Sequence, residues 1–380
     1  MDFELKEEHR IFRSSIRDFA QREIAPIVEE CEEKERFPVH LFPKMGDLGF
    51  LCVNYPTEYG APGADKITEC ICVEELCYVC SGIASGFLVQ GGLATSSILN
   101  YGTDEQKRNY LVPAIKGRKI GAFGLTEPNA GSDAASIQTR ATRNGDHYII
   151  NGTKTFITNG PIADYVIVAA YTNPEKRGVG VNLFIVDKGT PGFTVARKLS
   201  KVGNRSAETG ELFFEDCRVP KTNMIGEREG GGFDQIVDTL RSGRITYGSR
   251  CRGVARAAYD ATVQYAKQRV QFGRPIIEFQ VNRFKLAEMA MLLDIMETIT
   301  FRAAWLYQEG KPCMKEASMV KLFCSESLQK IVNDSMQIHG GYGYMMEYPI
   351  QRYWRDARLF TITEGTSEIH HLVIAREMGY

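Results

Sequence analysis

The sequence predicts an α+β protein in which a helical N-terminal region, a central β region and a C-terminal helical bundle follow one another. Apolar residues recur at helical spacing up to about residue 118, alternating apolar strands and Asn-Gly turns occupy about 120–224, and helical spacing returns after Gly230–Gly232. These changes of period predict three domains: helices at 1–118, a small β domain at 119–228 and a helical bundle at 229–380.

The first predicted helix carries apolar side chains at three- to five-residue steps, and we expect Pro26 to bend or end it. Further helices are expected around Val73–Cys80 and Leu93–Tyr101. The central strands are expected at Tyr148–Ile150, Val166–Val168 and Val181–Val186, and the later helices around Gly253–Arg269, Val281–Gln308 and Lys315–Met336. The glycine run before Phe233 lacks the Lys and Ser/Thr of a P-loop, so we interpret it as a loop into a helix.

Composition describes a soluble globular protein with no strong field for nucleic acid or anionic membranes. Hydrophobic residues make up 43% and charged residues 24% of the 380, and 46 basic against 47 acidic side chains leave a formal charge of -1. The acidic start lacks the pattern of a signal peptide, and we expect no apolar stretch to approach the roughly 20 residues that span a bilayer. We therefore expect a cytoplasmic enzyme that does not insert into a membrane.

Ten cysteines are scattered along the chain, and four of them cluster in a predicted helix. The clustered residues are Cys70, Cys72, Cys77 and Cys80. Helical spacing does not bring four thiolates to one tetrahedral point, so we expect buried, reduced thiols and no metal site.

The segment Thr363–Glu368 joins a carboxylate to a glycine, which lets the backbone approach a flat ligand. Glu364 is a candidate for a positioned base there, although a helix end or a solvated turn explains the same residues. Upstream, backbone amides of Phe123–Asp133 suit the polar rim of an aromatic cofactor, and an ordinary turn explains that loop equally well. In Phe156–Gly160 the aromatic ring is a candidate for contact with a cofactor ring or for the core.

The fourth informative segment, Arg269–Pro275, is followed by Gln280 and by the glycine-rich Gln337–Tyr344. An arginine beside exposed glycine amides is typical of a diphosphate site, and tight helix crossings use the same residues.

The order and spacing of these segments, from Phe3 to the end, resemble the acyl-CoA dehydrogenase family. The matching segments are Thr126–Asp133, Phe156–Gly160, Phe214–Pro220, Arg269–Gly273, His339–Tyr344, Tyr348–Pro349, Arg355–Asp356, Glu364–Glu368 and Ile374–Arg376. The resemblance implies an N-terminal all-helical domain, a β-barrel-like middle domain and a C-terminal four-helix bundle. It also implies non-covalently bound FAD, an acyl-CoA substrate, an electron-transfer flavoprotein as partner and a homotetramer.

The resemblance also implies which residues hold the cofactor and the substrate. Those expected at the isoalloxazine and ribityl region are Phe123, Leu125, Thr126, Gly131, Ser132, Phe156 and Thr158. Those expected at the ADP half, in a neighbouring subunit, are Arg269, Phe272, Gln280, Gln337, Gly340 and Gly341, with Thr366 and Glu368 completing the site. Those expected to contact substrate are Ser132, Arg244, Thr363, Gly365 and Arg376.

Glu364 falls where the family keeps its catalytic base, which removes the α-proton of the thioester while the β-hydride leaves for flavin N5. Some relatives carry this base on the helix that contains Gly243, where this chain has no carboxylate. Exclusion of water is expected to raise the pKa of Glu364.

Three departures from the family's pattern concern the acyl group. Thr363 replaces a frequent Tyr and suggests a pocket that is wider or less aromatic near the reacting carbons. Arg241 replaces a frequent acidic residue, and Leu88–Leu93 is small and polar where an aliphatic wall is usual. We therefore expect a short, cyclic or polar acyl group, and expect Arg241 to meet solvent or CoA.

The alternatives are an acyl-carrier-protein-bound acyl dehydrogenase or oxidase of secondary metabolism, a non-oxidative lyase on the same fold, and a non-catalytic acyl-binding subunit. The histidines His339, His370 and His371 are interpreted as packing residues.

Overall fold

The computed structural model describes residues 4–226 and 228–380, so Phe3 lies outside the described residues. Helices form the first part of the chain. They are α1 Glu7–Phe19, α2 Val28–Glu33, α3 Leu41–Asp47, α4 Lys66–Val79, α5 Ser81–Leu88, α6 Ser96–Tyr101, α7 Asp104–Gln106 and α8 Val112–Ile115. Wider π-helical turns occur at Ala20–Ile24, Val89–Leu93 and Lys107–Leu111. Pro26 lies in a short 3₁₀ turn between α1 and α2, so it bends the chain before helix resumes.

The central region is an eight-stranded sheet. Its strands are β1 Gly121–Gly124, β2 Arg140–Asn144, β3 His147–Thr158, β4 Tyr165–Tyr171, β5 Val181–Asp187, β6 Phe193–Lys198, β7 Thr209–Pro220 and β8 Met224–Ile225. The order is β6-β7-β3-β2-β4-β5-β8, and β1 pairs with β4 in parallel. Every residue of β4 is buried, which explains its unbroken apolar sequence.

The C-terminal region contains five helices and a small hairpin. They are α9 Gly232–Gln268, β9 Val270–Gln271, β10 Arg274–Pro275, α10 Gln280–Gln308, α11 Met314–His339, α12 Ile350–Ala357 and α13 Ser367–Glu377. The long helices α9, α10 and α11 pack on one another, and α13 packs on α11. Helix α9 begins at Gly232, well before the predicted Gly253. Gly253 lies inside the helix, where it allows close packing: a Cβ there would lie 2.4 Å from the Glu74 carbonyl oxygen.

The expectation about apolar stretches was wrong. Ser81–Tyr101, 21 residues with a mean hydropathy of 1.3, is long and apolar enough to cross a membrane by length and composition. Of that apolar window, 67% is buried inside the protein, which is typical of a core helix.

The ten cysteines are all buried and free, as expected. Burial raises the pKa of the Cys52 and Cys77 thiols to about 12. Such thiols pack as small apolar groups.

Candidate active site

A cavity of about 70 Å³ lies between α4, α5, the π-helical turn Val89–Leu93, α9 and the segment before α13. Helix α9 presents Gly243, Thr246, Tyr247 and Arg250 to it, at the three-, four- and seven-residue spacing of one helical face. The remaining lining residues are Phe50, Leu51, Cys52, Val53, Glu69, Cys72, Val73, Leu76, Ser85, Phe87, Leu88, Val89, Gly91, Gly92, Leu93 and Glu364. The walls are thus mainly apolar, with a few charged groups.

Glu364 reaches this cavity from the turn that precedes α13. Its backbone is left-handed, with φ 56°, and Gly365 follows with φ 101°. The Thr366 side chain then caps α13 by accepting a hydrogen bond from the Ile369 N–H at 3.4 Å. Strained backbone at a non-glycine residue is common at functional sites, and here it turns the carboxylate towards α9.

The Glu364 carboxylate occupies the space above Gly243. A Cβ added at Gly243 would lie 2.8 Å from Glu364 Oε2, and this oxygen is buried with no hydrogen-bond partner among the described residues. Glu364 and Gly243, the two positions at which the resemblance led us to expect a base, therefore lie side by side in this chain.

Burial raises the pKa of Glu364, and the positive charges of Arg250, Lys321 and Arg244 oppose that rise. Lys321 of α11 donates a hydrogen bond from Nζ to the Gly365 carbonyl at 2.6 Å. Burial lowers the pKa of Lys321 to about 8. The carboxylate thus lies in a desolvated site with several cations around it.

An aromatic side chain lines the cavity beside Thr363. Tyr247 of α9 lines the cavity, and its hydroxyl shares a hydrogen bond with the hydroxyl of Thr363. The Tyr247 ring also packs against Phe360 with centroids 5.3 Å apart. An aromatic side chain from a different element therefore accompanies the smaller Thr363.

The segment Leu88–Leu93 lines the cavity, but its polar side chain does not. Gln90 is fully buried on the other side, where Nε2 donates to the Ala114 and Lys119 carbonyls at 3.0 and 2.7 Å and Oε1 accepts from the Gly121 N–H at 2.7 Å. The small character of this wall comes from Gly91 and Gly92.

Two predicted substrate residues differ in position. Arg244 is buried beside the cavity wall, with Nη1 3.7 Å from Met314 Sδ and Nε without a partner in the described ranges. Arg376 has an exposed side chain. Arg241, expected to meet solvent or CoA, has a side chain that is 35% exposed, pairs with Asp238 and lies 5.7 Å from the Tyr307 ring centroid.

A first surface carries some of the residues predicted for the flavin ring. The Thr126 carbonyl accepts the Thr155 N–H at 2.9 Å, which joins the loop after β1 to strand β3. The register shift between Lys154 and Ile157 lets Phe156 turn outwards with φ 61° and 68% of its surface exposed, so the core interpretation of this ring was wrong. Gly131 and Ser132, which follow Thr126 in the same loop, are exposed. Phe123, in contrast, is buried in β1.

A second surface gathers the residues predicted for the ADP half. The Arg269 guanidinium lies 5.4 Å from the Tyr342 ring, and Tyr265 stacks on His339 at 4.4 Å. Phe272 is 94% exposed at the tip of the hairpin. Gln280 begins α10, Gln337 lies in the last turn of α11, and Gly340 and Gly341 follow it.

Both surfaces carry side chains and glycines of the kind that suit FAD. Exposed aromatic rings suit stacking on a flat ring system, and an added Cβ at Gly131, Gly340 or Gly341 would meet nothing within 4 Å. Gly340 has φ 59°, a backbone that favours glycine beside a phosphate cradle. The residues present therefore fit the cofactor.

Two of the three histidines, His339 and His370, are buried packing residues as interpreted, and the interpretation of His371 was wrong. His339 Nδ1 lies 2.8 Å from the Ser335 carbonyl oxygen, and burial lowers the pKa of His339. His370 is fully buried and burial lowers its pKa to about 3, whereas His371 is exposed.

Sequence reasoning missed three residues of the cavity region: Tyr247, Arg250 and Lys321. No motif contains them. The spacing 243, 246, 247 and 250 on one helix was the only available signal for the first two.

Three family models match the chain over almost its whole length. They are "Acyl-CoA dehydrogenase, N-terminal domain" at residues 6–118, "middle domain" at 122–217 and "C-terminal domain" at 230–379. The chain belongs to the acyl-CoA dehydrogenase family. Its architecture of helices, a central sheet and a helical bundle is that family's fold, and it is an oxidoreductase.

Similar curated proteins agree with this assignment. "Probable acyl-CoA dehydrogenase YngJ" of Bacillus subtilis is 45% identical over 379 residues, covering 100% of both chains. "Acyl-CoA dehydrogenase, short-chain specific" of Clostridium acetobutylicum is 42% identical, covering 99% of each.

Solved structures of the family superpose closely. Butyryl-CoA dehydrogenase from Megasphaera elsdenii is 40% identical with a TM-score of 0.96 and full coverage of both chains. A glutaryl-CoA dehydrogenase from Mycobacterium smegmatis in complex with FADH2 is 31% identical with a TM-score of 0.94, over 99% of this chain and 95% of that one. The acyl-CoA dehydrogenase family depends on FAD, and this chain is a flavoprotein of acyl-CoA metabolism.

Proposed function

We propose that this enzyme dehydrogenates a short acyl-CoA thioester between its α- and β-carbons, with Glu364 as the base that takes the α-proton. One observation carries the proposal: the Glu364 carboxylate lines a small cavity with an oxygen that is buried and free of any hydrogen-bond partner among the described residues. A carboxylate without an internal partner is available to a substrate.

The surroundings of Glu364 support its role as base. Burial raises its pKa towards that of a stronger base, and the nearby cations keep a population of the ionised form. The apolar walls exclude water, which strengthens hydrogen bonds to the thioester carbonyl as negative charge develops. The backbone N–H of Glu364 is the donor that the family resemblance implies for this carbonyl.

FAD, when bound, supplies the acceptor for the β-hydride. The residues that we propose for its ring and ribityl chain are Phe123, Leu125, Thr126, Gly131, Ser132, Phe156, Thr158, Thr366 and Glu368. Those that we propose for the ADP half, from a neighbouring subunit, are Arg269, Phe272, Gln280, Gln337, Gly340 and Gly341. For the substrate we propose Ser132, Arg244, Thr363, Gly365 and Arg376.

The size of the cavity supports a short acyl group. An apolar cavity of about 150 Å³ holds a benzene ring, whereas this cavity has about 70 Å³. The similarity to the short-chain enzyme of Clostridium acetobutylicum points to the same chain length.

We propose an electron-transfer flavoprotein as the electron acceptor. A chain 41% identical to this one, covering 100% of both, occurs in the structure described as "Electron transferring flavoprotein of Acidaminococcus fermentans" and has a TM-score of 0.97. The same site serves reduction of an enoyl thioester in reverse, and an "Acryloyl-CoA reductase (NADH)" of Anaerotignum propionicum is 42% identical.

The proposed homotetramer is supported by apolar side chains that the single chain leaves exposed. Phe272, Val281, Phe284 and Tyr344 are 94%, 61%, 64% and 77% exposed near the predicted ADP surface. Subunit contact there would cover them and complete the cofactor site. We further propose a cytoplasmic location and the domain bounds 1–118, 119–228 and 229–380.

A carrier-protein substrate is the second candidate. The structure described as "Prolyl Acyl Carrier Protein Oxidase AnaB" is 32% identical with a TM-score of 0.95. Comparing CoA- and carrier-bound thioesters of one acyl group separates the two. The presence of Glu364 argues against a non-oxidative lyase.

The test is the variant Glu364→Gln, purified with FAD. We expect retained flavin, and a loss of about 10³-fold or more in anaerobic flavin reduction by butyryl-CoA, because the amide accepts no proton. The control Glu33→Gln changes an exposed carboxylate on α2 and is expected to behave as wild type. Undiminished reduction in the Glu364 variant would remove this residue from the mechanism.

A further inference from the structure

A buried arginine in the acyl cavity has a hydrogen-bond donor without a partner. Arg250 of α9 lines the cavity and is only 9% exposed. Its Nη2 donates to the Ser85 hydroxyl, while Nε is buried and has no partner in the described part of the chain. Burying a cation that lacks a paired anion is costly, so its position calls for a ligand that completes it.

Two aromatic rings fix the direction of this guanidinium. It lies 4.7 Å from the ring centroid of Phe360 and 5.3 Å from that of Tyr247. Stacking of this kind leaves the edge of the guanidinium, where the N–H groups point, free for hydrogen bonds. A planar fork held in one orientation matches the two oxygens of a carboxylate.

The other charges around the cavity leave a positive excess. Glu69 lies in the wall but is already paired with Lys66 at 2.7 Å, and Lys66 also donates to the Ser242 hydroxyl at 2.8 Å. Glu364 then faces Arg250 together with two further cations. Those cations are Lys321 and Arg244. One additional negative charge from a ligand would reduce the imbalance.

The position of Arg250 sets the distance between the reacting carbons and that negative charge. Gly243 lies beside the Glu364 carboxylate, and Arg250 follows seven residues later, about 10 Å along the helix axis. Because helical side chains lean towards the N-terminus, the guanidinium returns about one turn towards Gly243, to the level of Tyr247. The gap between base and guanidinium thus suits a chain of only a few carbons.

We propose that Arg250 binds a carboxylate at the far end of a short acyl chain, so that the preferred substrate is a short dicarboxylic acyl thioester. This rests on the proposed function, because Glu364 defines where the α- and β-carbons lie. Arg250 is thereby a specificity-determining residue, and it takes no part in the proton transfer.

The test compares acyl groups in wild type and in Arg250→Gln, both loaded with FAD. Anaerobic flavin reduction is measured with butyryl-CoA, with succinyl-CoA and glutaryl-CoA, and with their terminal methyl esters. In wild type we expect a kcat/KM at least about 10-fold higher for the better carboxylate substrate than for butyryl-CoA. In Arg250→Gln the loss of a positive charge near Glu364 affects every thioester alike. We therefore expect the ratio of kcat/KM for the carboxylate substrates to kcat/KM for butyryl-CoA to fall about 100-fold, because only the carboxylates also lose a buried charge partner.

Two further variants keep the result interpretable. Arg250→Lys retains the charge without the planar fork and is expected to fall between wild type and Arg250→Gln. Lys267→Gln removes one positive charge from the exposed last turn of the same helix, about 25 Å away along its axis, and is expected to leave the carboxylate preference unchanged. FAD content and thermal midpoint establish that each variant is folded.

The outcomes separate this inference from the proposed function. If wild type is reduced by butyryl-CoA and no faster by either dicarboxylic thioester, the role of Arg250 is overturned while the dehydrogenase assignment stands. Methyl esters that react as well as the free acids also overturn it, because a neutral oxygen then suffices. If dithionite bleaches the flavin but no thioester does, the proposed function itself fails.

Discussion

The arginines on the two sides of helix α9 differ in whether they form ion pairs. Away from the cavity, Arg252 and Arg256 share Glu74, and Arg256 donates to Glu75 at 2.8 Å. On the cavity side, Arg244 and Arg250 each have a buried Nε without a partner in the described residues. Paired charges hold helices α1, α4, α9 and α10 together, whereas the unpaired ones border the space where a substrate is expected.

The charged residues on the paired side form a network of ion pairs. Burial would raise the pKa of Glu75, but hydrogen bonds from Arg17 and Arg256 outweigh that effect and lower it. Arg17 reaches Glu75 at 3.0 Å from α1, and Arg252 reaches Glu297 of α10 at 3.2 Å. The network therefore serves the fold, and its loss should affect stability before activity.

The largest effect is expected for Glu74→Gln, which tests whether the ion-paired side of α9 affects stability and not activity. Glu74 is 1% exposed, and neutralising it leaves the Arg252 and Arg256 guanidinium groups short of their shared anion. We expect a loss of about 3–5 kcal/mol in the free energy of unfolding. Denaturant unfolding followed by flavin fluorescence measures it. Turnover per bound FAD at 25 °C should stay near the wild-type value, and a large fall in that turnover would contradict the separation of the two sides.

The second prediction concerns pH on the cavity side. Because burial raises the pKa of Glu364, kcat/KM should rise with pH through a value above the ordinary 4.5, as the base loses its proton. It should fall again near pH 8, where Lys321, whose pKa burial lowers to about 8, loses its charge beside Gly365.

The variant Lys321→Met isolates that contribution. Removing a cation that lowers the pKa of Glu364 should move the rising limb to higher pH and abolish the fall near pH 8. Profiles of kcat/KM against pH, measured on variants that retain FAD, decide whether Lys321 acts through its charge on Glu364 or only through packing. An unchanged profile would make it a packing residue only.

The smallest effect is expected for Arg250→Met without substrate. Replacing an unpaired buried cation by an apolar side chain of similar length removes a desolvation cost along with the contacts to Tyr247 and Phe360. We expect the free energy of unfolding to change by no more than about 1 kcal/mol. A loss as large as that of Glu74→Gln would place Arg250 in the structural network instead.

The sequence predicts the fold far better than the details of this cavity. Helical and strand periods, together with ordered motifs, were sufficient for the architecture, the family and FAD, because each is carried by local patterns. Arg250 and Tyr247 lie in no motif, and their meeting with Thr363 and Ser85 depends on packing between elements distant in the chain. Gln90 was misjudged for the same reason, since only the fold decides which side of a turn it faces.

Backbone strain was equally invisible in the sequence. Nothing local distinguishes Phe156 as an exposed residue with φ 61° from a core phenylalanine on the same strand. The register shift that turns it outwards arises from pairing with β7, more than fifty residues later.

The glycine wall of the cavity has a consequence for how acyl selectivity changes. A Cβ added at Gly92 meets no atom within 4 Å, although Gly92 lines the cavity. Any larger residue there consumes room for the ligand without displacing protein atoms. Single substitutions at Gly92 therefore change the acyl length that the cavity accepts without disturbing the fold. Both evolution and laboratory selection can reach new substrates in one such step.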